Sequence, residues 1–156
     1  MNGRTPNIME NKIISILKKN GWYENREIDI TSILNYLKDE KYTIYNTQIN
    51  FLKEFGNLEI SFKDCNGNGH FIVINPIDVG LPEWAKQKYE IYINKKFILI
   101  GEVVCENTFL LMDKDLEIYG AYENEFIFLG KNFYVFLENF YLDKLIDWEI
   151  IKNFFE

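Results

Sequence analysis

A change of hydrophobic period at Gly56 most constrains this chain: before it apolar residues recur every three or four positions, after it they alternate. Met9, Ile13, Ile16 and Leu17 fall on one helix face, and Asn20-Gly21 supplies the stop. Ile30, Ile33, Leu34 and Leu37 predict a second helix, with Asp29 or Thr31 as the capping side chain. A third is expected from Gln48 to Phe55, capped by Asn46 or Thr47 and ended by a left-handed Gly56. Leu58, Ile60 and Phe62 then alternate with Asn57, Glu59 and Ser61, the pattern of a half-buried strand.

The turn-rich Asp64 to Gly69 links that strand to a second, His70 to Asn75, as a hairpin. Pro82 opens a further helix that carries Trp84 and Tyr89 and ends before Asn94. Strands follow at Phe97 to Val104, Thr108 to Met112 and Leu116 to Glu123, with a short one at Phe126 to Leu129. In the Leu116 strand one face carries Leu116, Ile118, Gly120 and Tyr122, the other Glu117, Tyr119, Ala121 and Glu123. Phe133, Phe136, Leu137 and Phe140 return to helical spacing, and Leu145, Trp148, Ile151 and Phe155 extend it beyond Asp143. The expected fold class is α+β, a largely antiparallel sheet flanked by N-terminal and C-terminal helices. At 156 residues, the chain reads as one domain over 8–156 with a frayed start at 1–7. Its 26 aromatic residues suit an aromatic core that needs neither disulfide nor metal. No run approaches the roughly 18 apolar residues of a membrane span, and no secretory leader is evident, so the expected location is cytoplasmic. Cys65 and Cys105 read as buried or half-buried free thiols, with a disulfide between them left open.

Charge is unevenly placed. Residues 1–101 hold 13 basic and 12 acidic side chains, whereas residues 102–156 hold 4 and 12. An acidic surface of this kind is a poor partner for nucleic acid, whose affinity comes from lysine and arginine on phosphates. It suits a cationic partner, or serves solubility alone. Catalytic constellations are thin. His70 is the one histidine and has no nucleophile and orienting acid at suggestive spacing. Asn66-Gly67-Asn68-Gly69 lacks the spacing and following helix of a phosphate loop. Asp113-Lys114-Asp115 with Glu117 has Ile118 where a calcium loop needs glycine, and Asn124 where it needs glutamate. Glu102, after an apolar strand, is the one acid whose setting suggests desolvation. No cofactor and no metal are expected.

Gly21-Trp22, Arg26-Glu27-Ile28-Asp29, Phe51 to Leu58 (FLKEFGNL), Ile100-Gly101-Glu102 and Ile118-Tyr119-Gly120 occur in that order over about residues 20–142. In order and spacing the chain resembles the third family of the SUKH superfamily of bacterial immunity proteins. It departs at Leu99, where the family tends to have proline, and at Leu116, where it tends to have glycine. The resemblance implies a non-catalytic protein that neutralises a cognate toxin of a polymorphic toxin system, commonly a nuclease or nucleic-acid deaminase. A toxin of that kind presents a basic cleft that an acidic surface can fill. Asp113, Asp115, Glu117, Tyr119, Glu123 and Glu125 are then the expected contacts, grouped on one hairpin. The partner is a cationic toxin, with no direct nucleic acid and no membrane, and the chain itself a monomer or weak homodimer. The alternative is a regulatory module that binds a small ligand or peptide in an aromatic-lined groove between helices and sheet.

Overall fold

The computed structural model describes residues 7–122, 125–144 and 149–153. Helix α1 (Ile8–Lys19) starts at Asn7, whose side-chain oxygen accepts from Glu10 N at 2.7 Å, and buries Ile13, Ile16 and Leu17. The expected frayed start therefore falls outside the described residues except for Asn7, which is the cap. Helix α2 (Thr31–Asp39) is held at its first turn by Asp29, which accepts from Thr31 N at 2.9 Å and Thr31 Oγ1 at 2.6 Å.

Helix α3 (Asn46–Phe55) corrects two expectations. Asn46 and Thr47 lie inside its first turn, and the start is closed instead by Gln48, whose Oε1 accepts from Tyr45 N at 2.9 Å. Gly56 is not left-handed: its φ is −57° and its ψ 147°, and the left-handed residue is Asn57, at φ 64°. Glycine is needed at 56 for space, because a Cβ there would be driven into the carbonyl oxygen of Leu52.

Among the described residues seven strands follow: β1 (Glu59–Lys63), β2 (Gly69–Val73), β3 (Ile98–Val103), β4 (Thr108–Met112), β5 (Ile118–Tyr122), β6 (Glu125–Gly130) and β7 (Glu149–Asn153). They form one sheet in chain order, every neighbour antiparallel, with α4 (Glu83–Ile93) inserted after β2 and α5 (Phe133–Tyr141) after β6. Sequential antiparallel pairing allows short connections, which turns supply between β1 and β2 and between β4 and β5, while α4 and α5 bridge β2 to β3 and β6 to β7. Gly101 marks the irregularity in β3, where the register to β4 shifts between Leu99 and Gly101. A Cβ on Gly101 would be driven into the Val73 carbonyl oxygen, so the Ile-Gly-Glu motif is a close approach of two backbones.

Two strands differ from expectation. The helical spacing read through Leu145, Trp148, Ile151 and Phe155 gives way to β7, which pairs with β6 from Glu125↔Asn153 to Phe128↔Glu149. Asp143, at φ 56°, follows the end of α5, and the adjacent β-branched pair Ile150-Ile151 suits a strand laid on the open edge of β6. Residues 145, 148 and 155 lie outside the described set.

In β5 the inside–outside alternation fails. Ile118 is 0% exposed, Tyr119 3% and Ala121 1%, so both faces of this strand are buried. On the Tyr119 side, rings of β5, β6, the segment before β3 and α4 interlock: Tyr119 to Phe97 at 5.3 Å, Tyr119 to Phe126 at 5.4 Å, Phe126 to Tyr89 at 5.0 Å. Gly120 turns the other way, beneath Leu129, and α5 approaches β6 so closely that a Cβ on Gly130 would meet Phe136 N at 2.8 Å. Helix α5 joins α3 through Phe133, whose ring lies 5.3 Å from Phe51 and 4.7 Å from Phe55.

Candidate partner-binding site at the β4–β5 turn

The turn from Asp113 to Glu117 is built by its own first residue. Asp113 Oδ1 accepts from Asp115 N at 2.9 Å and Glu117 N at 3.1 Å, while Leu116 N donates to Asp113 O at 3.1 Å. An aspartate closing its own turn in this way is favoured locally. Leu116 sits at φ 68°, which a Cβ makes costly and glycine would not. That is the position where the related pattern tends to have glycine. Leu116 is half-buried and packs against the core, a gain that offsets the strain.

Helix α3 pins the turn from one side. Thr47 Oγ1 donates to Lys114 O at 2.6 Å, and buried Gln48 uses Nε2 to donate to Met112 O at 3.0 Å. From the other side comes Lys95, just past the end of α4. Its Nζ lies 3.2 Å from Asp113 Oδ2, 3.4 Å from Glu117 Oε2 and 3.1 Å from Tyr119 OH. The Tyr119 hydroxyl in turn is 2.9 Å from Glu117 Oε2 and 3.3 Å from Asp113 Oδ2. Lys95 is held above its ordinary range by the hydrogen bond with Tyr119 first, opposed by burial, and then by Asp113. Burial pushes the Tyr119 phenol up to about 12, with Glu117 adding to the rise and Lys95 opposing it, so the ring stays neutral at physiological pH.

This geometry sorts the expected contact residues. Asp113 is 2% exposed and Tyr119 3%, and both are committed to bonds within the chain. Asp115 is exposed at the tip of the turn and Glu117 is half-buried at its flank. Half-buried Glu125 instead starts β6 opposite Tyr122, at the far end of β5, so the expected contacts do not all group at one turn. Glu123 lies outside the described residues. Thr47, Gln48 and Lys95 belong to the site and escape a sequence reading, because their partners stand 67, 64 and 18 residues away. Only the adjacent pair Lys95-Lys96, after a helix stop at Asn94, hinted at a cation here. That cation also answers the calcium-loop pattern: the carboxylates of Asp113 and Glu117 face Lys95.

The other titratable group of note is buried. His70, on β2, places Nε2 2.9 Å from Asp64 Oδ2 and Nδ1 3.7 Å from Glu106 Oε1, with the Phe140 ring edge-on at 5.0 Å. Asp64 also accepts from Asn66 N at 2.8 Å and Asn68 N at 3.0 Å, closing the β1–β2 turn. Burial alone would raise the Asp64 carboxyl, but the bonds from His70, Asn68 and Asn66 outweigh it and hold the group below its usual range. Burial moves Glu106 the opposite way, upward, against the attraction of His70. The arrangement ties one hairpin to the turn after β3. Cys65 and Cys105 are free thiols, as expected, but both are exposed rather than buried, because each falls in a surface turn. Glu102 lies within β3, half-buried, between Val73 and Phe109 of the neighbouring strands. Among the described residues no helix is long and apolar enough to cross a membrane, and no group of three or more His, Cys, Asp and Glu is placed to hold a metal.

Against known proteins, a family model described as SUKH-3 immunity protein matches residues 9–143. The match covers every helix but the first residue of α1, and six of the seven strands. No curated protein and no solved structure matches the chain.

Proposed function

The chain belongs to the SUKH-3 immunity protein family, and we propose that it neutralises a cognate toxin by binding it through the acid-bearing face around the β4–β5 turn. The toxin is a nuclease or nucleic-acid deaminase of a polymorphic toxin system. A protein of that class must hold phosphates with lysine and arginine, and carboxylates on a rigid turn can take the same positions. Both partners then act in the cytoplasm, and inhibition is stoichiometric.

The observation that carries this reading is the preorganisation of the turn. Asp113, Thr47 and Gln48 fix its backbone before any partner arrives, so little ordering cost remains for association. Asp115 and Glu117 then supply charge at the turn, supported from beneath by Asp113 and Tyr119, and Glu125 adds a further carboxylate at the far end of β5. Lys95 neutralises part of this acidity, so the field that steers a partner comes from the acid surplus of residues 102–156 as a whole.

The test begins with the tagged chain recovered from lysate of its source organism and a stoichiometric basic partner identified by mass spectrometry. Its nuclease or deaminase activity is expected to return when the chain is removed, and association is expected to slow as salt rises. Absence of any stoichiometric partner at low and moderate salt would overturn the immunity reading. Association insensitive to salt would overturn its electrostatic part.

A further inference from the structure

Beside the β4–β5 turn, between α3 and the start of α5, lies a groove of ≈ 330 Å³. Its wall is aromatic and apolar: Phe51, Phe55, Phe133, Leu116 and the half-open ring of Tyr134, which stands edge-on to Phe55 at 6.1 Å. Glu54 is the one carboxylate in its lining, which contains no lysine, arginine or histidine. The carboxylate is held in place, because Glu54 Oε2 accepts from Trp22 Nε1 at 2.9 Å. Burial first, and then the charge of Glu54, push the Tyr134 phenol up to about 12, so Glu54 is the one charged residue of the lining at neutral pH. Arg26, which donates to the Glu54 and Gly56 carbonyl oxygens and feels the Glu54 charge, stands outside that lining. The start of α5 does not reverse this sign for a ligand, since Asn132 Oδ1 already accepts from Val135 N at 2.9 Å.

A ring-lined groove of this size, small for a ligand pocket and closed by one fixed carboxylate, suits a long side chain with an apolar stem and a cationic head. We propose that it receives one arginine side chain of the cationic partner, its stem against Phe55 and Leu116 and its guanidinium between Tyr134 and Glu54. Arginine fits better than lysine because a planar guanidinium stacks on a ring face while pairing with a carboxylate. The inference rests on the reading of the chain as a binder of a basic protein, and it assigns the specificity subsite next to the acidic turn.

The experiment needs no toxin. Ring-carbon resonances of the full chain are followed by NMR during titration with N-acetyl-arginine N-methylamide, its neutral citrulline analogue, and the lysine analogue. Saturable shifts at Phe55, Phe133 and Tyr134 with the arginine probe are expected, at least tenfold weaker with citrulline and several-fold weaker with lysine. In Glu54→Gln, where the side-chain oxygen still accepts from Trp22, the arginine shifts should weaken at least tenfold. Should that variant melt earlier than the native chain, Asn50→Arg serves instead. Asn50 is exposed one turn before Glu54, so its guanidinium would fill the site from within and abolish the shifts without lowering the melting temperature. Equal binding of citrulline or lysine, or shifts that survive both variants, would overturn the assignment. A failed titration leaves the toxin complex to stand on its own test, and a missing toxin leaves the arginine preference readable.

Discussion

Lys95 stands 3.2 Å from Asp113 and 3.4 Å from Glu117, so two of the hairpin's carboxylates meet a cation before any partner arrives. Lys95→Met should cost about 1–2 kcal/mol in urea unfolding, less than the ~3–5 kcal/mol of a fully buried pair because solvent screens the half-exposed lysine. Its folded pKa is raised, so the contribution is complete below the unfolded value of ~10.4 and is lost only as pH rises through the folded value. The native chain and Lys95→Met should therefore converge in strong alkali, read as melting temperature against pH. Asp64 behaves in the opposite sense. Its folded pKa is lowered, so its contribution is present above the unfolded value of ~3.9 and is lost as pH falls through the folded value. Asp64→Asn should melt earlier than the native chain at pH 7, and the gap should close below about pH 4. An unchanged gap at low pH would show that the Asp64 bonds to His70 and to the turn do not depend on charge.

Among the elements, β1 is one edge of the sheet, and Asn20 covers part of it. The Asn20 side chain donates to Ser61 O at 3.1 Å and accepts from Ser61 N at 3.1 Å, occupying backbone groups that another strand would use. Removing it in Asn20→Ala should cost about 1 kcal/mol and make the chain associate at high concentration, seen as a rising sedimentation coefficient. The helices α1 to α3 were legible from apolar residues at helical spacing, and α4 from Pro82 at its start and Asn94 at its end, although Trp84 in it is exposed. Their caps were less so: Gln48 closes α3 from within, a choice that depends on Met112 offering a carbonyl 64 residues on. β7 was misread as helix because Leu145, Trp148, Ile151 and Phe155 keep helical spacing, and only pairing with the open edge of β6 decides against it.

For the whole molecule, the test of the acidic face is charge reversal that spares the core. Asp115→Lys with Glu125→Lys should leave the melting temperature within about 2 °C, slow association with the toxin at least tenfold, and flatten its salt dependence. Unchanged association would place the contact elsewhere on the surface. The amino-acid sequence by itself determined the α+β class, the order of most elements, the acid surplus of the last third and the family, because periodicity, net charge and ordered motifs are properties of the chain alone. Which acids remain free was decided by the tertiary structure. Strand β5 is covered on both faces, so Tyr119 became core, and a lysine from the end of α4 reached Asp113 and Glu117. Pairing and burial are contacts between distant segments, and local pattern carries no record of which segments will meet.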